Sequence, residues 1–218
     1  VIGIGSNYTD SLVEYVKKSD LIGFSAILSV VPYYNKPSQE GLFQHFSKLA
    51  NSSIVPIILY NVPGRTSCNM EPDTVIKLAK KYKNIIGIKE AKGDLDQMNN
   101  LIKNKPPNFL IISGDDDTAA QSILNGADGV ISVAAGSIPK LFIKTINYAL
   151  KKEERNTNIL LDLIKPYLKL LFDEGNPSGT KAALSVLNIC KNKLRLPLIP
   201  VSDSLYSKIE KFISENPE

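Results

Sequence analysis

Short apolar runs alternate with longer amphipathic segments through the first two thirds of the chain. The runs are VIGI (1–4), FSAILSV (24–30), IVPIILY (54–60), IIGIK (85–89), FLIIS (109–113) and GVISV (129–133). Most are continuous rather than alternating, the pattern of strands covered on both faces. Helical patterns lie between them. In PSQEGLFQHFSKLA, Ser38 can cap a helix, and Leu42, Phe43, Phe46, Leu49 and Ala50 then fall on one face. In EPDTVIKLAKKY, Pro72 sits where a first-turn proline is tolerated, and Ser137 and Pro139 of GSIPKLFIKTINYAL repeat that kind of start. After Lys152 the strand pattern stops. Segments 157–173, 179–190 and 202–214 read as three helices, joined by NPSG and LRLPLIPVSD.

Strand, loop and helix in repetition predict a parallel α/β fold. An open doubly wound sheet and a (βα)8 TIM barrel compete. The first is disfavoured because GIGSNY lacks the third glycine of a dinucleotide fingerprint. The barrel is favoured because polar residues gather at the C-terminal ends of the apolar runs, where barrel sites lie. The expected division is a partial barrel carrying the active site over 1–153 and a C-terminal helical region over 154–218. Six strands do not close a barrel, so two further βα units are expected upstream of Val1.

Composition narrows the function. The chain has 218 residues, 43% of them hydrophobic and 22% charged, with a net charge of +4. The lysines are interspersed with acids and form no basic block with aromatics, which argues against a nucleic-acid partner. Cys68 and Cys190 form no CxxC and no disulfide framework, so a reducing, cytoplasmic setting is expected. No apolar run is long enough to span a bilayer, and no signal peptide is recognisable. The chain opens without an initiator Met, as an excerpt of a longer protein would.

Candidate chemistry begins with Lys89. In a strand, Ile85, Gly87 and Lys89 share one face. If that face is the barrel interior, Gly87 makes room there, and desolvation favours a neutral amine able to attack carbonyls. The competing reading is a lysine leaving the strand end for water. Tyr60 ends the preceding strand, where its phenol can shuttle protons beside an imine or simply bond to a backbone group. Arg65 follows a turn at Asn61, Pro63 and Gly64, and its fork suits a carboxylate or a surface salt bridge. Tyr33 and Tyr34 suit a lid, an interface or loop packing. GDDDTA (114–119) reads better as a helix cap than as a metal site. His45 is the only histidine, which nearly excludes two-histidine metal sites and histidine-based triads. Cys68 reads as a space-filler.

Taken together, VVPYYNKPSQEGL, LYNVPGRT, IIGIKEA, SGDD, GVISV and LRLPLIPVSD resemble, in order and spacing, the pyruvate-dependent aldolase superfamily. Within it the chain is most similar to the dihydrodipicolinate synthase family, and the likeness runs over essentially the whole chain. The resemblance implies a Schiff base between Lys89 and pyruvate, with Tyr60 passing protons. It implies that Arg65 holds the carboxylate of aspartate β-semialdehyde. Tyr34 would reach into a partner's site in a homotetramer, and Ile131 and Gly114 would line the pocket. The product would be 4-hydroxy-tetrahydrodipicolinate, a precursor of lysine, made with no metal or organic cofactor. Asn7 and Tyr33 match positions of a lysine effector site, although the acid found nearby in some relatives is Ser11 here. The family's threonine loop has no counterpart in this sequence. Three alternatives stand beside this reading: a sialate or keto-sugar lyase, which lacks the arginine at Arg65; a catalytically inactive relative acting as a binding protein; and, more distantly, a metal-dependent hydrolase.

Overall fold

The apolar runs pair with one another in the order in which they are synthesised. The computed structural model describes residues 1–216. Its strands are β1 (Ile2–Gly3), β2 (Ile27–Val30), β3 (Ile57–Asn61), β4 (Ile85–Glu90), β5 (Leu110–Ser113) and β6 (Gly129–Val130). They form one sheet in the order β1-β2-β3-β4-β5-β6, and every neighbouring pair is parallel. A doubly wound sheet reverses its strand order at a switch point, and a βα-barrel does not. The fold is therefore a partial TIM barrel. Each edge strand is only two residues long, which leaves little unpaired backbone there.

Between the strands run α1 (Thr9–Lys18), α2 (Gln39–Ser52), α3 (Pro63–Thr66), α4 (Pro72–Lys81), α5 (Leu95–Asn104) and α6 (Asp116–Asn125). Then follow a 3-10 turn at Ala134–Gly136 and the helices α7 (Pro139–Leu150), α8 (Glu154–Phe172), α9 (Ser178–Val186) and α10 (Asp203–Glu215). Ser38 caps α2 as expected, its Oγ accepting from the Gly41 N–H at 3.2 Å. The predicted apolar face of α2 is buried throughout. Pro72 and Pro139 each open their helix.

Three local expectations need correction. β6 ends at Val130 rather than continuing to Val133, because Ser132 Oγ accepts from the Ala135 N–H at 2.9 Å and bends the chain into the 3-10 turn. Ser137 does not cap α7, where Ile138 holds that place; its hydroxyl instead accepts from the Tyr167 OH at 2.8 Å. Gly87 does not clear interior space: a Cβ there would lie 2.7 Å from the Leu110 carbonyl oxygen. The glycine lets β5 approach β4.

The molecule divides into two units. One, Val1–Thr118 with Asn125–Ile131, holds all six strands, and its core is built on Ile27, Leu42, Phe46, Leu49, Ile57, Leu59 and Ile88, all fully buried. The other, Ala119–Leu124 with residues 132–216, is built from helices. Its centre is Tyr167, stacked on Phe212 with ring centroids 4.5 Å apart, beside the buried Ile164, Leu171, Ala182 and Ile209. Among the described residues no helix is long and apolar enough to cross a membrane.

Candidate active site

Two strand ends place the two candidate reacting groups. Tyr60 and Lys89 are register partners across β3 and β4, so the pleat sends both side chains to the same face. The Lys89 Nζ stands 4.5 Å from the centroid of the Tyr60 ring. Next in line, Gly114 follows β5 and donates its N–H to the Glu90 carbonyl at 2.7 Å. A Cβ on Gly114 would fall 2.7 Å from both the Lys89 Cε and the Ala91 Cβ. Only glycine leaves the lysine stem its path along the β5 end.

Burial tunes these groups. Desolvation pulls Lys89 below the ordinary lysine value, and the Asp116 carboxylate works in the opposite direction. Burial pushes the Tyr60 phenol upward, and the Arg65 guanidinium opposes that. Tyr60 therefore stays protonated at neutral pH, as a proton donor must, while Lys89 parts with its proton more readily than a free lysine. The reading of Lys89 as a side chain escaping to water does not hold: the residue is only partly exposed and is covered by the phenol ring.

Arg65 sits in α3, a single turn that Pro63 opens and that Ser67 ends in the left-handed conformation. The segment 61–66 is thus a strand end running into a helical turn rather than a simple loop. It brings the guanidinium close enough to Tyr60 to act on its titration. Ile131 follows β6, is 40% exposed, and donates its N–H to the Ser113 carbonyl at 2.9 Å. Tyr34 has a φ of 76° and is 85% exposed. Its N–H reaches the Thr66 carbonyl at 3.4 Å, which ties it by backbone to the Arg65 turn. Asn7 and Tyr33 are brought together, the Asn7 Nδ2 donating to the Tyr33 carbonyl at 3.3 Å. In the acidic run, Asp115 Oδ1 accepts from the Thr118 N–H at 3.0 Å and from its hydroxyl at 2.8 Å, capping α6.

The sequence did not point to Asp116 as the charge acting on Lys89. Nor did it point to the buried polar group behind the site, where Glu90, Asn61, Asn69 and Gln97 hydrogen-bond to one another. The available signal was the strand pleat: residues next to Tyr60 and Lys89 must face the opposite side together.

Known proteins resemble this chain over nearly its whole length. The model of the dihydrodipicolinate synthetase family matches residues 1–216. The 4-hydroxy-tetrahydrodipicolinate synthase of Flavobacterium psychrophilum is 46% identical over 99% of this chain and 73% of its own length. The crystal structure of a chloride-inhibited dihydrodipicolinate synthase from Acinetobacter baumannii complexed with pyruvate superposes with a TM-score of 0.92 at 38% identity, covering 98% of this chain and 73% of that one. The enzyme from Cyanidioschyzon merolae with lysine bound gives a TM-score of 0.90 at 36% identity, over 97% and 72% of the two chains. The chain belongs to the dihydrodipicolinate synthetase family.

Proposed function

We propose that the protein condenses pyruvate with aspartate β-semialdehyde through a Schiff base on Lys89, giving 4-hydroxy-tetrahydrodipicolinate. The observation that carries this reading is the pairing of a partly desolvated lysine with a protonated phenol on one face of neighbouring strands. The neutral Lys89 amine attacks the keto carbon of pyruvate, and the carbinolamine oxygen leaves as water when Tyr60 supplies the proton. Loss of a methyl proton turns the iminium into an enamine. Its terminal carbon bonds to the aldehyde carbon of the second substrate, whose oxygen takes up a proton. The amino group of that substrate then attacks the imine carbon, closing the ring and releasing Lys89 as a free amine. Arg65 binds the carboxylate of the semialdehyde. Gly114 and Ile131 line the pyruvate pocket.

The same reading takes Tyr34 as a residue that enters a partner's site in a cytoplasmic homotetramer, and its exposure suits that role. Asn7 and Tyr33, already in contact, would form part of a lysine effector site. The partial barrel over 1–153 would carry the site, with 154–218 as its helical appendage. Arg65 and the synthase relatives favour this activity over a sialate or keto-sugar lyase.

The test is to incubate the protein with pyruvate, reduce with borohydride and map the adduct by peptide mass spectrometry. A reduced pyruvate adduct on Lys89 is expected, and on no other lysine. A folded sample that yields no adduct overturns the proposal.

A further inference from the structure

Behind the candidate site, on the helix-facing side of the sheet, lies a polar cluster that the mechanism does not use. Glu90 is 1% exposed. Its carboxylate accepts from Asn61 Nδ2 at 3.1 and 2.9 Å, from Gln97 Nε2 at 2.9 Å and from the Lys92 N–H at 2.8 Å. Asn61 Nδ2 also donates to Asn69 Oδ1 at 2.8 Å, and Asn61 Oδ1 accepts from the Met70 N–H at 2.9 Å. Asn69 and Gln97 bond to each other in both directions, at 3.0 and 3.1 Å.

A buried carboxylate is costly unless its acceptor sites are filled, and here three donors converge on it. The cluster is also placed where it can act. Tyr60 pairs with Lys89, and one step along the same strands Asn61 pairs with Glu90. The two pairs share backbone but face opposite sides of the sheet. The Asn61–Glu90 bond therefore clamps the strand ends that set the spacing of Tyr60 and Lys89. Asn61 holds Met70 as well, so it closes the 62–69 segment that carries Arg65.

We propose that Glu90 and Asn61 are positioning residues, whose buried cross-strand bond holds Tyr60 against Lys89 on the opposite face of the sheet. This rests on the Lys89 reading for its catalytic meaning, but the geometric claim can be tested without substrate.

The experiment uses the full chain with Asn61→Asp, Glu90→Gln and the double exchange. Asn61→Asp keeps the acceptor for the Met70 N–H while setting two carboxylates face to face. Glu90→Gln replaces one acceptor oxygen with an amide donor that faces the Asn61 and Gln97 amides or the Lys92 N–H. The double exchange reverses donor and acceptor and restores the bond. Two readouts are taken at a temperature where every variant is folded by near-ultraviolet circular dichroism. One is the rate of borohydride-trapped pyruvate on Lys89 per folded molecule. The other is the pH midpoint of Lys89 acetylation by competitive labelling with acetic anhydride.

Each single variant is expected to lose roughly 10- to 100-fold in trapping rate, the scale of a misplacement of about 1 Å. Its Lys89 midpoint should move, and the double exchange should recover about tenfold of the rate and the original midpoint. A purely structural role lowers the melting temperature but leaves the trapping rate per folded molecule where it was, and that result overturns the proposal. If a single variant does not fold, Asn61→Ala takes its place: it removes the amide donor of the cross-strand bond, leaves Glu90 its Gln97 and Lys92 donors and changes no formal charge, so its Lys89 midpoint reports geometry alone. An unchanged labelling midpoint there also overturns the proposal. If the unsubstituted protein traps no pyruvate, the condensation reading fails, and the labelling midpoints still decide whether the clamp holds Lys89.

Discussion

Lys89 is drawn toward neutrality by its surroundings and held back from it by one carboxylate. Burial lowers its pKa, and Asp116 raises it. Removing that charge while keeping the shape, with Asp116→Asn, is expected to lower the pKa further. The acid limb of imine formation should then shift to lower pH, as read from the pH dependence of borohydride trapping; a shift to higher pH would contradict the assignment. Tyr60 and Lys89 were legible because strand parity puts a polar side chain at the end of each apolar run on a definable face. Glu90 was not. In the sequence it is one more acid after a lysine. What makes it a buried acceptor is the convergence of Asn61, Asn69 and Gln97, which come from three separate segments and carry no local signature.

At the scale of elements, strands and amphipathic helices were readable from periodicity, and their ends were less so. The six strands and the run of helices after them appear where the apolar pattern places them. The miss at β6 came from a serine hydroxyl competing for a backbone N–H, and the miss at Ser137 from a tyrosine thirty residues away in sequence. The end of α6 shows the same dependence on distant partners. Lys152, with a φ of 60°, donates its Nζ to the Ile123 and Leu124 carbonyls at 2.7 and 2.8 Å. These are last-turn carbonyls with no partner inside the helix, and a cation there also suits the helix dipole. Lys152→Met keeps the stem and removes both bonds. It is expected to cost about 1 kcal/mol, seen as a fall of about 2–4 °C in melting temperature. No change would mean that water serves those carbonyls equally well.

For the molecule as a whole, His45 supplies one identifiable contribution to acid sensitivity. It is 4% exposed, its Nδ1 lies 2.9 Å from the Thr9 hydroxyl, and burial pushes its pKa down from 6.5 to about 4. The unfolded chain therefore binds a proton that the folded one refuses between those two values. Stability contributed by the neutral ring is full above pH 6.5 and is lost as pH falls toward 4, roughly 3 kcal/mol in all. Urea unfolding at a series of pH values should show this slope, and His45→Gln should flatten it by about that amount; parallel slopes for the two proteins would exclude His45 as the origin.

The strand order carries one more consequence, for how the protein is made. Because β3 pairs with β4 directly after it in the chain, the two strand ends that meet at the site lie only 29 residues apart in sequence. Closing so short a loop is entropically mild, and contacts of low sequence separation form early. On a translating ribosome, the β3–α3–α4–β4 unit can form before α7 to α10 have been synthesised. The Tyr60–Lys89 pair is then set before the C-terminal helices exist, and a substitution at Asn61 or Glu90 is expected to slow a folding phase, as stopped-flow refolding would show, as well as the proposed reaction.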